Sequence, residues 1–188
     1  MSRPPLARER VLDAFEALLI EEGAPGATLD ATARRADVSK GGLLYHFASK
    51  EELAQGLLER LATLADEDLE EMAAHPQGEI DYFIRTSIME GDPFDRVLLA
   101  VARLGQSGHE PSTEALRTLR ERWADSLRPV VRDETALAIV LLVSDGLYYN
   151  NGLDVLGEGA VTLATPLPQD ANFDELIARV RSATEKID

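Results

Sequence analysis

Side chains able to support catalysis or bind a metal are few and scattered in this sequence of 188 residues. It has no cysteine, and its three histidines, His46, His75 and His109, stand far apart. None falls in an H-E-x-x-H pattern, which would align two zinc ligands on one helix face. Glu71 and His75 are four residues apart, a spacing more typical of a solvated ion pair. We therefore predict no catalytic residue, no metal site and no cofactor, and an enzyme is the disfavoured alternative.

The stretch VSKGGLLYHFASKEEL, residues 38–53, concentrates groups that bind phosphate. Lysine, hydroxyl, imidazole and free amide groups at a helix N-terminus all donate hydrogen bonds to phosphate oxygens. Gly41 and Gly42 stand inside a helical pattern at a cost of about 2 kcal/mol relative to alanine. One explanation is close approach of the backbone to DNA, and another is a frayed helix start or close packing on the preceding helix. The neighbouring Lys40, Tyr45 and Lys50 favour DNA.

The residues around this stretch predict short helices with defined starts. A first amphipathic helix ends at Gly23, before Pro25 and Gly26. Thr28 is then an N-cap for a helix through Ala36, and Ser39 is an N-cap for a helix over residues 40–47. A capping box formed by Ser49 and Glu52 opens a longer helix that stops before Pro76.

Beyond it, apolar periodicity predicts helices at about 79–90, 94–106, 112–132 and 134–151, and a last helix capped by Asn172. The fold class is therefore all-α, with about nine helices. Two short helices joined by a tight turn describe a helix-turn-helix, whose second helix enters the major groove of DNA.

Thr28 to Leu53 resembles the N-terminal domain of the tetracycline-repressor (TetR) family of bacterial transcription regulators. The resemblance implies that Thr28 holds a phosphate, that Ser39 to His46 is the recognition helix and that Lys50 clamps phosphate. Leu44 stands where the family most often has tyrosine, Asp37 replaces the usual glycine of the turn, and Thr32 occupies a position that is usually aliphatic. The predicted DNA-binding residues are Thr28, Ser39, Lys40, Gly41, Gly42, Tyr45, His46 and Lys50. For His46, packing beside Phe47 is an equal alternative.

Charge is distributed unevenly. Residues 1–50 balance seven basic against seven acidic side chains, so residues 51–188 carry the whole net charge of −15. Only the N-terminal quarter is thus electrostatically suited to approach DNA phosphates. The longest apolar run, residues 136–143, is far shorter than the roughly 20 residues that span a bilayer. We expect a cytoplasmic protein with no membrane partner.

These observations predict a helix-turn-helix DNA-binding domain over residues 1–50 and an effector-binding and dimerisation domain over residues 51–188. One helix-turn-helix reads DNA poorly alone, so we expect a homodimer on a pseudo-palindromic operator. The predicted dimer residues, on the last two helices, are Val140, Val143, Leu176 and Val180.

The predicted effector is an unidentified small molecule, bound where the resemblance places a pocket in the C-terminal domain. The candidate effector-binding residues are Leu61, Met72, Phe83, Met89, Val101, Trp123, Leu127 and Tyr148. Each also suits plain core, because a stripe at helical spacing requires no ligand. The predicted function is a ligand-responsive transcription regulator, more specifically a repressor. A protein-interaction module that uses residues 136–143 as its partner surface is the alternative.

Overall fold

The computed structural model describes residues 4–88, 91–155 and 172–186. Within these ranges the chain forms nine α-helices, which confirms the predicted all-α fold class. They are α1 (Pro4–Gly26), α2 (Leu29–Arg35), α3 (Lys40–His46), α4 (Lys50–Ala74), α5 (Glu79–Arg85), α6 (Pro93–Gln106), α7 (Glu110–Leu127), α8 (Glu134–Val155) and α9 (Phe173–Thr184). None of the described helices is long and apolar enough to cross a bilayer.

The predicted helix starts are confirmed by their caps. Thr28 Oγ1 accepts a hydrogen bond from the Ala31 amide at 3.2 Å, and Ser39 Oγ accepts one from the Gly42 amide at 3.0 Å. Asn172 caps α9 in the same way. At Gly23 the backbone takes φ 70°, which interrupts α1 at the predicted end, although one more helical turn follows up to Gly26.

Two helices end earlier than their periodicity predicted. The sequence placed the end of the fifth helix near residue 90, but α5 ends at Arg85 because the hydroxyls of Thr86 and Ser87 bind the carbonyls of the last turn. Likewise α7 ends at Leu127, not near residue 132. Pro129 follows directly, and proline has no amide to continue the helical hydrogen-bond pattern.

The helices form two compact units. Unit 1 comprises Met1–Ala65 and Gly91–Arg117, and unit 2 comprises Asp66–Glu90 and Thr118–Asp188. Unit 1 therefore holds α1 to α3 and the first part of α4, together with α6 and the first part of α7. The packing unit that contains the helix-turn-helix is thus larger than residues 1–50.

In unit 1, α3 packs on α1 and α2 through Leu43 and Phe47, which are both buried. Gly56 lies where α4 passes α1, and a Cβ there would come within 2.9 Å of a Leu12 methyl and 3.1 Å of the Phe47 ring. This glycine is therefore needed for close helix packing. The buried Leu53, Leu57 and Leu61 confirm the predicted apolar face of α4.

Unit 2 has its own apolar core, built from α4, α5, α7, α8 and α9. Its fully or nearly fully buried members include Met72, Phe83, Leu127, Val140 and Val180. The segment after α7 pairs with the end of α9 through a bridge between Val131 and Glu185. The C-terminal helix is thereby fixed to the rest of the unit.

Candidate nucleic-acid interface

The turn between α2 and α3 is closed by a left-handed residue. Asp37 has φ 52°, and its amide donates to the Arg34 carbonyl at 3.2 Å. The Val38 amide donates to the Ala33 carbonyl at 3.0 Å. These two bonds form a Schellman motif, in which glycine is the usual left-handed residue. Aspartate tolerates this conformation better than most side chains, so the departure at Asp37 leaves the turn intact.

Thr32, the other unusual residue of α2, is fully buried. Its Oγ1 donates to the Thr28 carbonyl at 2.8 Å, within the same helix. The hydroxyl is therefore satisfied where an aliphatic side chain would otherwise stand.

The N-terminus of α3 offers free amides. Ser39 Oγ occupies the amide of Gly42, so this glycine does not leave its N–H free as its position suggested. The amides of Lys40 and Gly41 have no hydrogen-bond partner among the described residues. They stand at the positive end of a helix dipole, where anions are favoured.

The outward side of α3 carries Gly41 and Tyr45, one helical turn apart. Tyr45 is 82% exposed, and a Cβ built on Gly41 would meet nothing within 4 Å. Gly41 also lies outside the positive-φ glycines of the chain. Neither packing nor backbone geometry within the protein therefore requires glycine here, which leaves approach by an external partner as its explanation. Leu44 is 39% exposed beside this pair, whereas His46 is half-buried with its ring 5.1 Å from that of Tyr45.

The basic side chains near α3 differ in their partners. Lys40 Nζ lies 3.0 Å from Asp30 Oδ1, and both side chains are well exposed. Lys50 Nζ donates to the Ala24 carbonyl, and partial burial lowers the pKa of this ammonium below its usual value. An ammonium group has three donors, so Lys50 retains two for a phosphate.

Arg34 was missed by the sequence reasoning. Four residues after Asp30 on α2, it has the spacing of a helical ion pair, but Asp30 pairs with Lys40 instead. Arg34 is exposed and has no ion-pair partner in the described part of the chain. Arg35, by contrast, makes a two-pronged contact with Glu21, and this hydrogen bonding lowers the pKa of the Glu21 carboxyl.

A buried carboxylate supports the interface from behind. Glu16 of α1 is only 4% exposed and accepts from Arg60 of α4 at 3.0 Å and from Arg96 of α6 at 2.9 Å. Arg60 also pairs with Glu9 and Asp13. These groups line a cavity of about 620 Å³ between the three helices. Because its ionic groups pair with one another, this part of unit 1 is a scaffold that holds α4 and α6 on α1.

A smaller cavity, of about 340 Å³, adjoins the start of α4. Lys50 and His109 both line it. His109 Nε2 lies 3.1 Å from Glu51 Oε1, and His109 Nδ1 lies 2.8 Å from Ser112 Oγ. The imidazole thus links the α6–α7 turn to the first turn of α4.

The candidate effector residues divide between the two units. Leu61 and Val101 belong to unit 1, and Met72, Phe83, Trp123, Leu127 and Tyr148 belong to unit 2. Met89 lies outside the described residues. None of the candidates lines either of the two cavities above. Trp123 combines a polar and an aromatic contact, since its Nε1 donates to Asp68 at 2.8 Å while its ring lies 5.5 Å from that of Phe83.

The candidate dimer residues face different environments. Val140 is fully buried and Val180 is 7% exposed, both in the core of one protomer, so they offer little area to a partner. Val143 and Leu176 are half-buried against the same core. On α8 the exposed apolar residues are Ile139 and Leu142, at 41% and 66%. A helix that is apolar all round gave the sequence no signal to choose between these faces.

The histidines are not brought together. Glu71 binds the Tyr82 hydroxyl at 3.1 Å, and the carboxylate nearest His75 is Asp81, at 3.5 Å. The expected Glu71–His75 pair is therefore replaced by these two contacts. In the described ranges no group of three or more histidine and acidic side chains is arranged to hold a metal ion.

Residues 11–57 match the family described as bacterial regulatory proteins, tetR family. Over 51 residues, or 27% of this chain, it is 41% identical to the uncharacterized HTH-type transcriptional regulator TtgW and 39% identical to the HTH-type transcriptional regulator SrpR, both of Pseudomonas putida. The match spans 38% of the first relative and 24% of the second.

Solved structures resemble the chain over nearly its whole length. A transcriptional regulator from Rhodococcus sp. Rha1 superposes with a TM-score of 0.61 at 20% identity, with 96% of this chain and 99% of that chain covered. NalD, the secondary repressor of the MexAB-OprM multidrug efflux pump in Pseudomonas aeruginosa, gives 0.59 at 19% identity, with 96% of each chain covered. At these identities the likeness establishes the fold.

Proposed function

We propose that this chain, which belongs to the tetR family of bacterial regulatory proteins, is a transcriptional regulator that binds double-stranded DNA through α3. The observation that carries the proposal is the outward side of α3, where Gly41 is open, Tyr45 is exposed and two helix amides are free. A helix entering the major groove with its N-terminus first brings these groups to DNA. Thr28, Ser39, Lys40, Gly42, His46 and Lys50 complete the proposed contact set.

The salt dependence of duplex DNA binding tests this function. Phosphate contacts release counterions, so the logarithm of the binding constant should fall linearly with the logarithm of salt concentration. The purified chain is titrated into labelled duplex DNA at several salt concentrations, with Tyr45→Ala as the variant and Glu70→Ala, an exposed change on α4, as the matched control. Weaker binding by Tyr45→Ala alone supports the proposal. Absence of DNA binding at low salt contradicts it and favours a protein-interaction module.

The proposed active form is a homodimer on a pseudo-palindromic operator. The exposed Ile139 and Leu142 of α8 support a partner surface on unit 2, with Val143 and Leu176 at its edge. Two exposed aliphatic side chains on one helix are costly in water and gain from burial in an interface. Two copies would place two recognition helices on successive major grooves.

The proposed signal is a small molecule bound by residues 51–188, with its pocket among the candidate residues of unit 2. If the effector favours a conformation in which α4 is tilted, binding shifts the population away from the spacing that fits DNA. Because α4 contributes residues to both units, it is the natural element for this coupling. The chain then acts as a repressor that leaves its operator, and catalysis has no part in the proposal.

Trp123 offers a direct test, since it is the only tryptophan. A compound that releases operator DNA should change Trp123 emission, because its indole N–H is held by Asp68 at the edge of the core. A releasing compound that leaves this emission unaltered, and binds Trp123→Phe with unchanged affinity, would place the pocket elsewhere.

A further inference from the structure

Leu44 is an apolar side chain on the DNA-facing helix that the protein's own packing does not cover. It is 39% exposed, next to the fully buried Leu43. Among the described residues, the other exposed large aliphatic side chains, Ile139 and Leu142, both lie on α8. An exposed leucine within a surface built for a charged ligand requires a specific contact to account for it.

Helix geometry places Leu44 on one flank of the outward stripe. With about 100° per residue, Gly41 and Tyr45 point roughly opposite to the buried Leu43, at about 160° and 200° from it. Leu44 lies about 100° from Leu43, on the same flank as Lys40, one turn earlier. Side chains on a helix lean toward its N-terminus, so Leu44 extends toward the open backbone at Gly41.

The chemistry of DNA limits what a leucine can recognise there. Leucine has no donor or acceptor for phosphates or for polar base edges. In the major groove the apolar group presented by the bases is the C5-methyl of thymine. We propose that Leu44 reads a thymine methyl group in each operator half-site. This inference rests on the proposed function and adds base specificity to it.

Uracil substitution isolates this one contact, because uracil lacks only the C5-methyl of thymine. From the highest-affinity duplex selected by the wild-type chain, each thymine is replaced by uracil at both symmetric positions, and the dissociation constant is measured for each duplex. Loss of one methyl contact should weaken binding about fourfold per half-site. The same series is measured with Leu44→Ala, and with Lys40→Ala as the control for a neighbouring phosphate contact.

The inference is supported if at least one uracil position weakens the wild type and Lys40→Ala by equal factors but leaves Leu44→Ala unaffected. Leu44 is exposed, so its alanine variant should fold, and circular dichroism and melting temperature verify this. Tight wild-type binding with no uracil position that separates wild type from Leu44→Ala overturns the thymine contact while leaving the proposed function intact. Selection of no DNA sequence by the wild type overturns both.

Discussion

Gly41 provides a substitution whose effects on folding and on DNA binding should have opposite signs. Its backbone is helical, and an added Cβ would meet nothing within 4 Å. Alanine at an exposed helix position is more favourable than glycine by about 0.5–1 kcal/mol, so Gly41→Ala should raise the free energy of unfolding by up to this amount.

Bound DNA should reverse the preference at Gly41. If the backbone at Gly41 approaches the groove closely, a side chain there must displace DNA or bend α3. Overpacking of a close contact costs about 1–3 kcal/mol, so Gly41→Leu should weaken operator binding about 5- to 150-fold. Gly41→Ala should lie between leucine and the wild type, because its methyl group is smaller.

Chemical denaturation and fluorescence anisotropy with operator DNA measure the two effects on the same preparations. Gly42→Ala is the neighbouring control, since its Cβ would stand 3.2 Å from Ser39 Oγ and should gain less folding stability. Unchanged operator affinity in Gly41→Leu would refute close approach of the backbone. A loss of stability in Gly41→Ala would refute the claim that the protein itself does not require this glycine.

Four further expectations concern other parts of the chain. Lys50→Ala should weaken binding to all DNA sequences and reduce the salt slope by about one unit per subunit, which salt titrations measure. Leu142→Arg should produce a folded monomer in sedimentation, whereas the same change at Val180 should unfold the chain because that position is buried. Glu16→Ala leaves two arginines without their shared carboxylate, so it should lower the unfolding free energy by about 3–5 kcal/mol in denaturant titrations. Burial, with two neighbouring carboxylates, raises the pKa of Tyr82 well above its usual value, so stability present below about pH 10 should be lost at higher pH, and less so in Tyr82→Phe.

Local features of the interface could be predicted from the sequence because they depend on neighbouring residues. The caps at Thr28 and Ser39 and the left-handed turn at Asp37 each involve partners within five positions. The apolar face of α4 follows from helical spacing alone. In these places the chain's propensities and its tertiary structure agree.

Long-range packing escaped the sequence reasoning for a physical reason. Glu16 and Arg96 are 80 positions apart, and neither carries a local sign that they meet. Spacing along α2 predicted a pair between Asp30 and Arg34, but Lys40 takes Asp30 once α3 packs beside α2. The side of α8 that faces its own core was equally hidden, since apolar residues surround that helix.

The most direct test of the account is sequencing of duplex DNA selected from a random library, in parallel, by the wild-type chain and by Gly41→Leu. The account predicts that the wild type enriches one pseudo-palindrome whose half-sites are about 10 base pairs apart, or a multiple of that spacing, centre to centre. It also predicts that Gly41→Leu loses this enrichment while remaining folded. Enrichment of no sequence by the wild type, or of the same sequence to the same degree by both proteins, would contradict the claim that α3 reads DNA.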